Sequence, residues 1–312
     1  TWDMTFTSHQ NGKTGHADQL NIRKEYETTS LETNIYKGNL DTNKSNGDNV
    51  FGVNLKASSY LKNNWIMNLG AKYADQETFM RRYGFDGDTR YKSYIELEKN
   101  SENSISFIEV YNIQNLDEKS SNNEPVLAPS ISHHIFNSNE KYNYDIKFNA
   151  HSIYNDESYD IKRWSGLGKI NKQFSYDNLL LEADANIGLD LYSIQGRPST
   201  DSNDNRYIDR ISSGFSIAAS HQYILMNRTT SLLIEPKIQF SSVFSSDRTD
   251  EVPNRDSAEF RLDQANLFLN NQFQGRDNIQ KNNRINLGVT SFVMTENLGD
   301  INFFIGQSQK VS

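Results

Sequence analysis

The sequence predicts an all-β protein, a large antiparallel up-and-down transmembrane β-barrel. It is incomplete in this chain, with about fifteen strands and an open C-terminal edge. Three observations lead there. Apolar and polar residues alternate with a period of two along most of the chain, which puts each set on its own face of a sheet. The gaps between these runs alternate short and long. No run of about 18 apolar residues occurs, which excludes a membrane-spanning helix. A spanning sheet is not excluded, because only every second residue of its strands must face lipid.

Taken in order, Trp2, Met4 and Phe6 alternate with Asp3, Thr5 and Thr7. Trp65, Met67, Leu69, Ala71 and Tyr73 do the same against Asn68, Gly70 and Lys72. Tyr144, Ile146, Phe148 and Ala150 alternate with Asp145, Lys147, Asn149 and His151. The clearest run is Leu181, Ala183, Ala185, Ile187, Leu189 and Leu191, set against Glu182, Asp184, Asn186, Gly188 and Asp190. Phe215, Ile217 and Ala219 continue the pattern, as do Leu232, Ile234, Ile238 and Phe240. No stretch carries an amphipathic helical period, so the chain reads as strands throughout.

Short gaps fall at 27–30, 62–64, 99–103, 137–140, 175–178, 226–228 and 296–300, and long ones at 10–17, 41–49, 75–90, 115–124, 155–162, 196–210 and 245–283. Tight periplasmic turns and long external loops give an outer-membrane barrel this rhythm, and a soluble sandwich has no reason to keep it. An odd strand number leaves the first and last strands running the same way. Residues 1–312 therefore read as a partial outer-membrane barrel domain without its C-terminal closing strands. The start at Thr1, with neither initiator Met nor signal peptide, reads as a processed or excised piece.

On such a fold, charges within strands must face a wet lumen, because a Lys or Arg on the lipid face costs about 2–4 kcal/mol at mid-bilayer. Lys147, His151, Glu182, Asp184, Asp190, Glu235 and Lys237 are the candidate lumen-facing residues. Pro236 cannot donate to a ladder and marks a bulge or weakened pairing. Only 35% of residues are hydrophobic, which by itself suggests a polar soluble or disordered chain. The many Tyr and Phe, set in alternating runs between Asn, Ser and Asp clusters, do not fit disorder. The absence of Cys excludes disulfides and thiolate chemistry, and the net charge of −8 argues against a nucleic-acid partner.

Chemistry-bearing motifs are sparse. His133 and His134 point to opposite faces of a strand and cannot readily chelate one ion, so they read as strand-end histidines and no metal or cofactor is expected. No nucleophile elbow, His-Glu-x-x-His or phosphate-binding loop appears, and an enzyme is not expected. A Ser/His/Asp site assembled across strands is the remaining catalytic reading.

The stretch from Val252 to Val289 organises the rest. It opens on a turn cluster, Pro253, Asn254, Asp256 and Ser257, and passes through Asn266, Leu267 and Phe268. It then reaches Phe273, Gly275 and Asp277 before entering a strand at Arg284. Loops this long are functional or disordered, and the apolar anchors predict an ordered one folded against the sheet. The plainer alternative is an external turn with a local Gly-Arg-Asp ion pair.

The order of PNRDS at 253–257, NLF at 266–268, F-x-G-x-D at 273–277 and N-x-G-V-T-S at 286–291 resembles the LptD family, the LPS-assembly or organic solvent tolerance proteins. RYGFD at 82–86, EPVLAP at 124–129, IEP at 234–236 and GQ at 306–307 fit in the same order. The resemblance covers essentially the whole chain but not the family's N-terminal periplasmic domain. It implies lipopolysaccharide transport and insertion into the outer leaflet of the Gram-negative outer membrane, through a hydrophilic lumen and a lateral strand seam. The partners implied are lipopolysaccharide, outer-membrane lipid, a plug lipoprotein like LptE, and periplasmic Lpt bridge proteins that dock on the absent N-terminal domain. The 252–289 loop then belongs to the lumenal side of the route, and Asp3, Thr5, Thr7 and Ser8 to the seam strand. The family's early strands carry prolines that weaken the seam. Residues 5–40 here carry none, and Ser8 and Gly38 stand near the expected positions. An outer-membrane porin and a soluble β-rich glycan-binding module are the alternative readings.

Overall fold

Alternating runs rich in Tyr, Phe, Ile and Leu, bounded by Asn, Asp, Ser and Gly, form strands because branched and aromatic side chains suit a pleated surface. The computed structural model describes residues 2–11, 15–40, 48–116, 126–138, 142–154, 160–196, 205–246, 251–254, 256–259, 261–295 and 299–311. Glu124, Pro125 and Arg255 of the motifs above, and most of the long gaps, lie outside them.

The strands are β1 (Trp2–Asn11), β2 (Gly15–Glu25), β3 (Thr29–Leu40), β4 (Asp48–Tyr60), β5 (Trp65–Ala74), β6 (Arg90–Ser101), β7 (Ser104–Asn115), β8 (Val126–Ser138) and β9 (Asn143–Tyr154). They continue as β10 (Asp160–Tyr176), β11 (Leu179–Gln195), β12 (Arg206–His221), β13 (Tyr223–Met226), β14 (Thr230–Ser245), β15 (Ala258–Glu259), β16 (Phe273–Gln274), β17 (Asn282–Thr295) and β18 (Gly299–Val311). Fifteen of them follow one another in a single antiparallel sheet, in sequence order from β1 to β18. β13 pairs beside β14, and β15 and β16 form a separate two-stranded ladder. The sheet does not close, since β1 and β18 end the strand order.

Two sequence expectations need correction. The gap at 10–17 is not long: β1 and β2 are joined by residues 12–14 alone, the same length as the 26–28 turn that follows. The residues on either side are polar enough to look like loop, yet they pair from Gln10↔His16 to Asn11↔Gly15. The 75–90 gap is not purely irregular. It holds a six-residue helix, α1 (Glu77–Arg82), too short for its period to show in the sequence.

Contacts divide the chain into two compact units. The first comprises Thr1–His133, Asn149–Arg163 and Ser193–Arg206. Its buried cluster forms where the segment carrying α1 lies against β2 to β6. Phe79 and Met80 are buried with Ala17, Tyr36, Val50, Ala74 and Tyr91, and Tyr83 and Phe85 pack beside them. Each fully buried side chain of this size contributes about 1.5–3 kcal/mol. Glycines provide the room. A Cβ on Gly38 would lie 2.6 Å from the Phe79 ring, and one on Gly52 would lie 2.9 Å from Met80 Sδ. Lys72 Nζ ties the segment down through Asp86 at 2.5 Å and Asp88 at 2.8 Å, and sits 4.3 Å from the centre of the Tyr91 ring. The RYGFD motif is thus a packing and tethering element.

The second unit comprises His134–Phe148, Trp164–Tyr192 and Tyr207–Ser312. One sheet face carries Ile187, Leu189, Leu191, Phe215, Ile217, Phe240, Leu287, Phe303 and Ile305, all exposed. The other carries buried Asp190, Arg210, Ser216, Gln239, Ser241, Arg284 and Asn286. A charged interior beneath an exposed apolar exterior inverts a water-soluble fold, and it suits a sheet with lipid outside.

Exposed aromatic residues mark the strand ends. Tyr26, Tyr60, Phe174, Tyr176 and Tyr223 stand at ends joined by short turns. Phe51, Tyr73, Trp164, Tyr207 and Phe244 stand near ends leading into the longer connections. Such girdles flank the apolar band of outer-membrane barrels at both interfaces.

Pro236 produces weakened pairing, not a bulge. β12 pairs with β14 up to Ser220↔Lys237, and β13 resumes at Tyr223↔Ile234 in the same register. The two intervening rungs are lost on that side only, since Pro236 still lies opposite Val289 of β17. Gln222 turns its backbone N–H to the Asn178 carbonyl and its side chain to Glu235.

Candidate functional site: a clasped loop on the polar face

The described residues of 251–281 lie against the polar face of β11, β12, β14, β17 and β18. Its two ends are clasped to each other first. Asp256 Oδ1 accepts hydrogen bonds from the backbone N–H groups of Arg276 and Asp277, both at 2.9 Å, and from the Ser257 hydroxyl at 3.0 Å. Asp277 Oδ2 accepts in return from the Asp256 N–H at 3.0 Å. Asn254 closes a local turn with two bonds to the Ser257 backbone, and Ser257 Oγ accepts from the Asn278 N–H. Gly275 is required on two counts. Its φ is +84°, and a Cβ there would lie 2.2 Å from the Asp256 carbonyl oxygen. The PNRDS and F-x-G-x-D motifs are therefore two halves of one clasp.

Arg210 of β12 joins the clasp to the sheet. It has no exposed surface, and its guanidinium donates to Asp190 Oδ2 at 2.7 and 3.1 Å, to the Tyr192 hydroxyl at 3.0 Å, and to the backbone carbonyls of Arg276 and Asp277. The Tyr192 hydroxyl in turn donates a hydrogen bond to Asp277 Oδ1 at 3.2 Å. Asp190 and Asp277 are themselves buried. The planar guanidinium thus has a carboxylate on one side and loop carbonyls on the other, a geometry that a lysine cannot reproduce.

The middle of the loop is held by shape. Asp263 and Asn266 bond reciprocally in a tight turn, which presents Leu267 and Phe268 to the sheet. They enter sockets left by glycines: a Cβ on Gly306 would lie 2.5 Å from Leu267 Cδ2, and one on Gly288 would lie 2.9 Å from Phe268 Cζ. Gln239 donates to the Phe268 carbonyl at 2.8 Å and is itself oriented by Asn286, which in turn accepts from the Ser308 hydroxyl. Arg284 donates to the carbonyls of Leu269 and Asn270. Lys237 lies over the Phe268 ring at 5.2 Å and pairs with Glu182.

The residues singled out in the sequence divide clearly. Pro253, Asn254, Asp256, Ser257, Asn266, Leu267, Phe268, Phe273, Gly275 and Asp277 all belong to the loop, though Pro253 and Phe273 make no bond to the sheet among those described. Glu182, Asp184, Asp190, Glu235 and Lys237 lie on the loop-bearing side, paired with Gln173, Lys169, Arg210, Gln222 and Glu182 respectively. Lys147 pairs with Asp145 at 3.5 Å, and His151 faces Arg163 at 3.4 Å. On β1, Asp3, Thr5 and Thr7 share a face opposite Arg23, Asn21 and Gln19, whereas Ser8 lies opposite Asp18 on the other face. His133 bonds Ser106 and His134 bonds Asp145, so each histidine serves a different partner. Among the described residues no cluster of His, Cys, Asp and Glu could hold a metal ion.

Sequence reading missed Arg210, Tyr192, Gln239, Arg284 and Asn286. A signal existed for two of them. Arg210 and Arg284 sit within strands whose neighbours Ile211 and Ile285 face outward, so the cations had to face inward.

The family model for LptD, LPS transport system D, matches residues 48–312. No curated protein matches. Among solved structures, the chain is similar to OmpT of Vibrio cholerae in its loop-L8-deleted form, an outer membrane protein, at 9% identity and TM-score 0.29 over 100% of this chain and 99% of that one. It is also similar to in-vitro folded OmpT from the same organism, at 7% identity and TM-score 0.26 over 99% and 86%.

Proposed function

We propose, from the premise that this chain belongs to the LptD family of LPS transport proteins in the outer membrane, that it conducts lipopolysaccharide to the outer leaflet. The family is a transport component. The polar face is read as the lumenal wall along which the sugar portion passes, and the acyl chains leave sideways through a seam beside β1. The supporting observation is the clasped loop. A segment of this length, buried through a charged network on the polar face while the opposite face stays apolar, shapes the interior of a barrel and does not cap its exterior. The sequence carries no phosphate-binding loop, and on this reading the driving energy is supplied from outside the barrel, which works with partners. These are a plug lipoprotein like LptE in the lumen and the periplasmic bridge proteins that reach the family's N-terminal domain.

In-cell photo-crosslinking of the full-length protein tests this reading. Probes at Asp184, Thr5 and Thr7 are expected to yield lipopolysaccharide adducts, and a probe at the lipid-facing Ile187 is not. No adducts at any of these positions, together with open-channel conductance in a planar bilayer, would replace it with a porin.

A further inference from the structure

Beneath the clasped loop lies a cleft of about 540 Å³, bounded at one side by Asp190, Gly275 and Arg276 of the clasp. Its floor is built by β10, β11 and β12, with Leu167, Lys169, Asn186 and Ser216 among its lining, and its roof by Asn270, Phe273 and Ile279 of the loop. The volume is in the range of small-molecule sites.

We infer that this cleft is a saccharide subsite that holds uncharged sugar units of the passing lipopolysaccharide through their hydroxyls and C–H faces. The inference rests on the transport reading above and adds the part of the substrate recognised. The lining chooses among ligand classes. An acyl chain would strip water from the Lys169–Asp184 ion pair and from Asn186 without replacing that hydration, and desolvating such groups is costly. A phosphate would find no spare positive charge at either lysine, and Arg276, the third cation of the lining, is not free either. Lys169 Nζ lies 3.0 Å from Asp184 Oδ1, Lys147 Nζ lies 3.5 Å from Asp145 Oδ2, and both carboxylates would repel it. A sugar ring carries hydroxyls that donate to carboxylates and accept from ammonium and amide groups, and it presents apolar C–H faces to Leu167, Phe273 and Ile279. Only this class satisfies both parts of the lining. The clasp then gains a purpose, since it fixes the roof over the floor and pre-forms the site, which lowers the ordering cost of binding.

The test uses full-length protein, with its partner lipoprotein, in detergent micelles. Binding is measured by saturation-transfer NMR with the oligosaccharide released from lipopolysaccharide by mild acid, before and after chemical dephosphorylation. Leu167→Trp fills the floor, and Lys169→Gln removes the charge of a half-exposed side chain while keeping a donor group near Asp184. Retained heat-modifiable mobility on gels shows that each variant is folded. The expected result is saccharide binding that changes less than about threefold on dephosphorylation, falls at least about tenfold in Leu167→Trp, and falls by a smaller factor in Lys169→Gln. Binding lost on dephosphorylation, binding unchanged in folded Leu167→Trp, or no binding to the unmodified protein would each overturn the subsite while adducts at Asp184 left the transport reading standing. Saccharide binding with the expected variant pattern, but no lipopolysaccharide adducts in cells, would overturn the transport reading and keep the site.

Discussion

The chain folds two connecting segments onto sheet faces, and they are fastened by different physics. The segment carrying α1, in the first unit, is held by Phe79 and Met80 in an apolar cluster and trimmed by the Lys72 ion pairs. The 251–281 loop, in the second unit, also sends two apolar side chains into glycine sockets, but its ends depend on one buried guanidinium. Apolar fastening is spread over many contacts and degrades gradually. A buried ion pair adds little net stability compared with an apolar substitute, yet it fails abruptly when one partner is removed, because the survivor remains charged and buried. The second loop is therefore the more brittle and the more exactly positioned, as expected where a surface must be shaped for a ligand.

The largest effect is expected at Arg210. Arg210→Ala should release the clasp and cost about 3–5 kcal/mol, seen as new protease cleavage within 251–281 and a lower urea midpoint in micelles. Asp190→Asn combined with Arg210→Met should recover part of that loss, because neither charge is then stranded. If Arg210→Ala leaves the loop protected, the ionic half of the comparison fails. Phe79→Ala should cost a comparable amount, about 3–5 kcal/mol, but leave protection of 251–281 unchanged, which separates the two fastenings.

Gly275→Ala comes next. It forces a positive φ on a residue with a Cβ and drives that Cβ into the Asp256 carbonyl. A loss of about 1–3 kcal/mol, with the same cleavage pattern as Arg210→Ala, is expected. The smallest effect concerns Asp88. Its hydrogen bond from Lys72 holds the Asp88 carboxyl below the ordinary aspartate value. Its contribution is therefore fully present above that ordinary value and is lost as pH falls through the depressed one. Because Asp88 is solvent-exposed, the effect is slight. Asp88→Asn should lower the unfolding temperature by a small amount at neutral pH and by nothing once the wild-type carboxylate is protonated.

How much of this was legible in the sequence depends on the range of the interaction. The strand from Leu181 to Leu191 was plain, because alternation is set by neighbours two residues apart. The motifs around Pro253 and Gly275 were each visible as turns, but nothing local says that Asp256 bonds the backbone at 276 and 277. The helix at 77–82 left no trace, since Phe79 and Met80 are adjacent and one turn has no period. Polar strand ends such as Asn11 and Gly15 looked like loop because they extend past the apolar band, where alternation has no lipid to answer to. Arg210 was readable in principle: an arginine between outward-facing apolar neighbours must look inward, although its partners must come from the fold.

The sockets at Gly288 and Gly306 carry a consequence for descent. Neither glycine is held by a positive φ; each is small because side chains occupy its place, Phe268 and Phe304 at Gly288, and Leu267 and Phe304 at Gly306. In related chains the size at 288 should therefore vary inversely with the sizes at 268 and 304, and that at 306 with those at 267 and 304. A lineage that enlarges a glycine must displace the loop and the Phe304 ring unless both shrink first, so these positions are expected to change together or not at all.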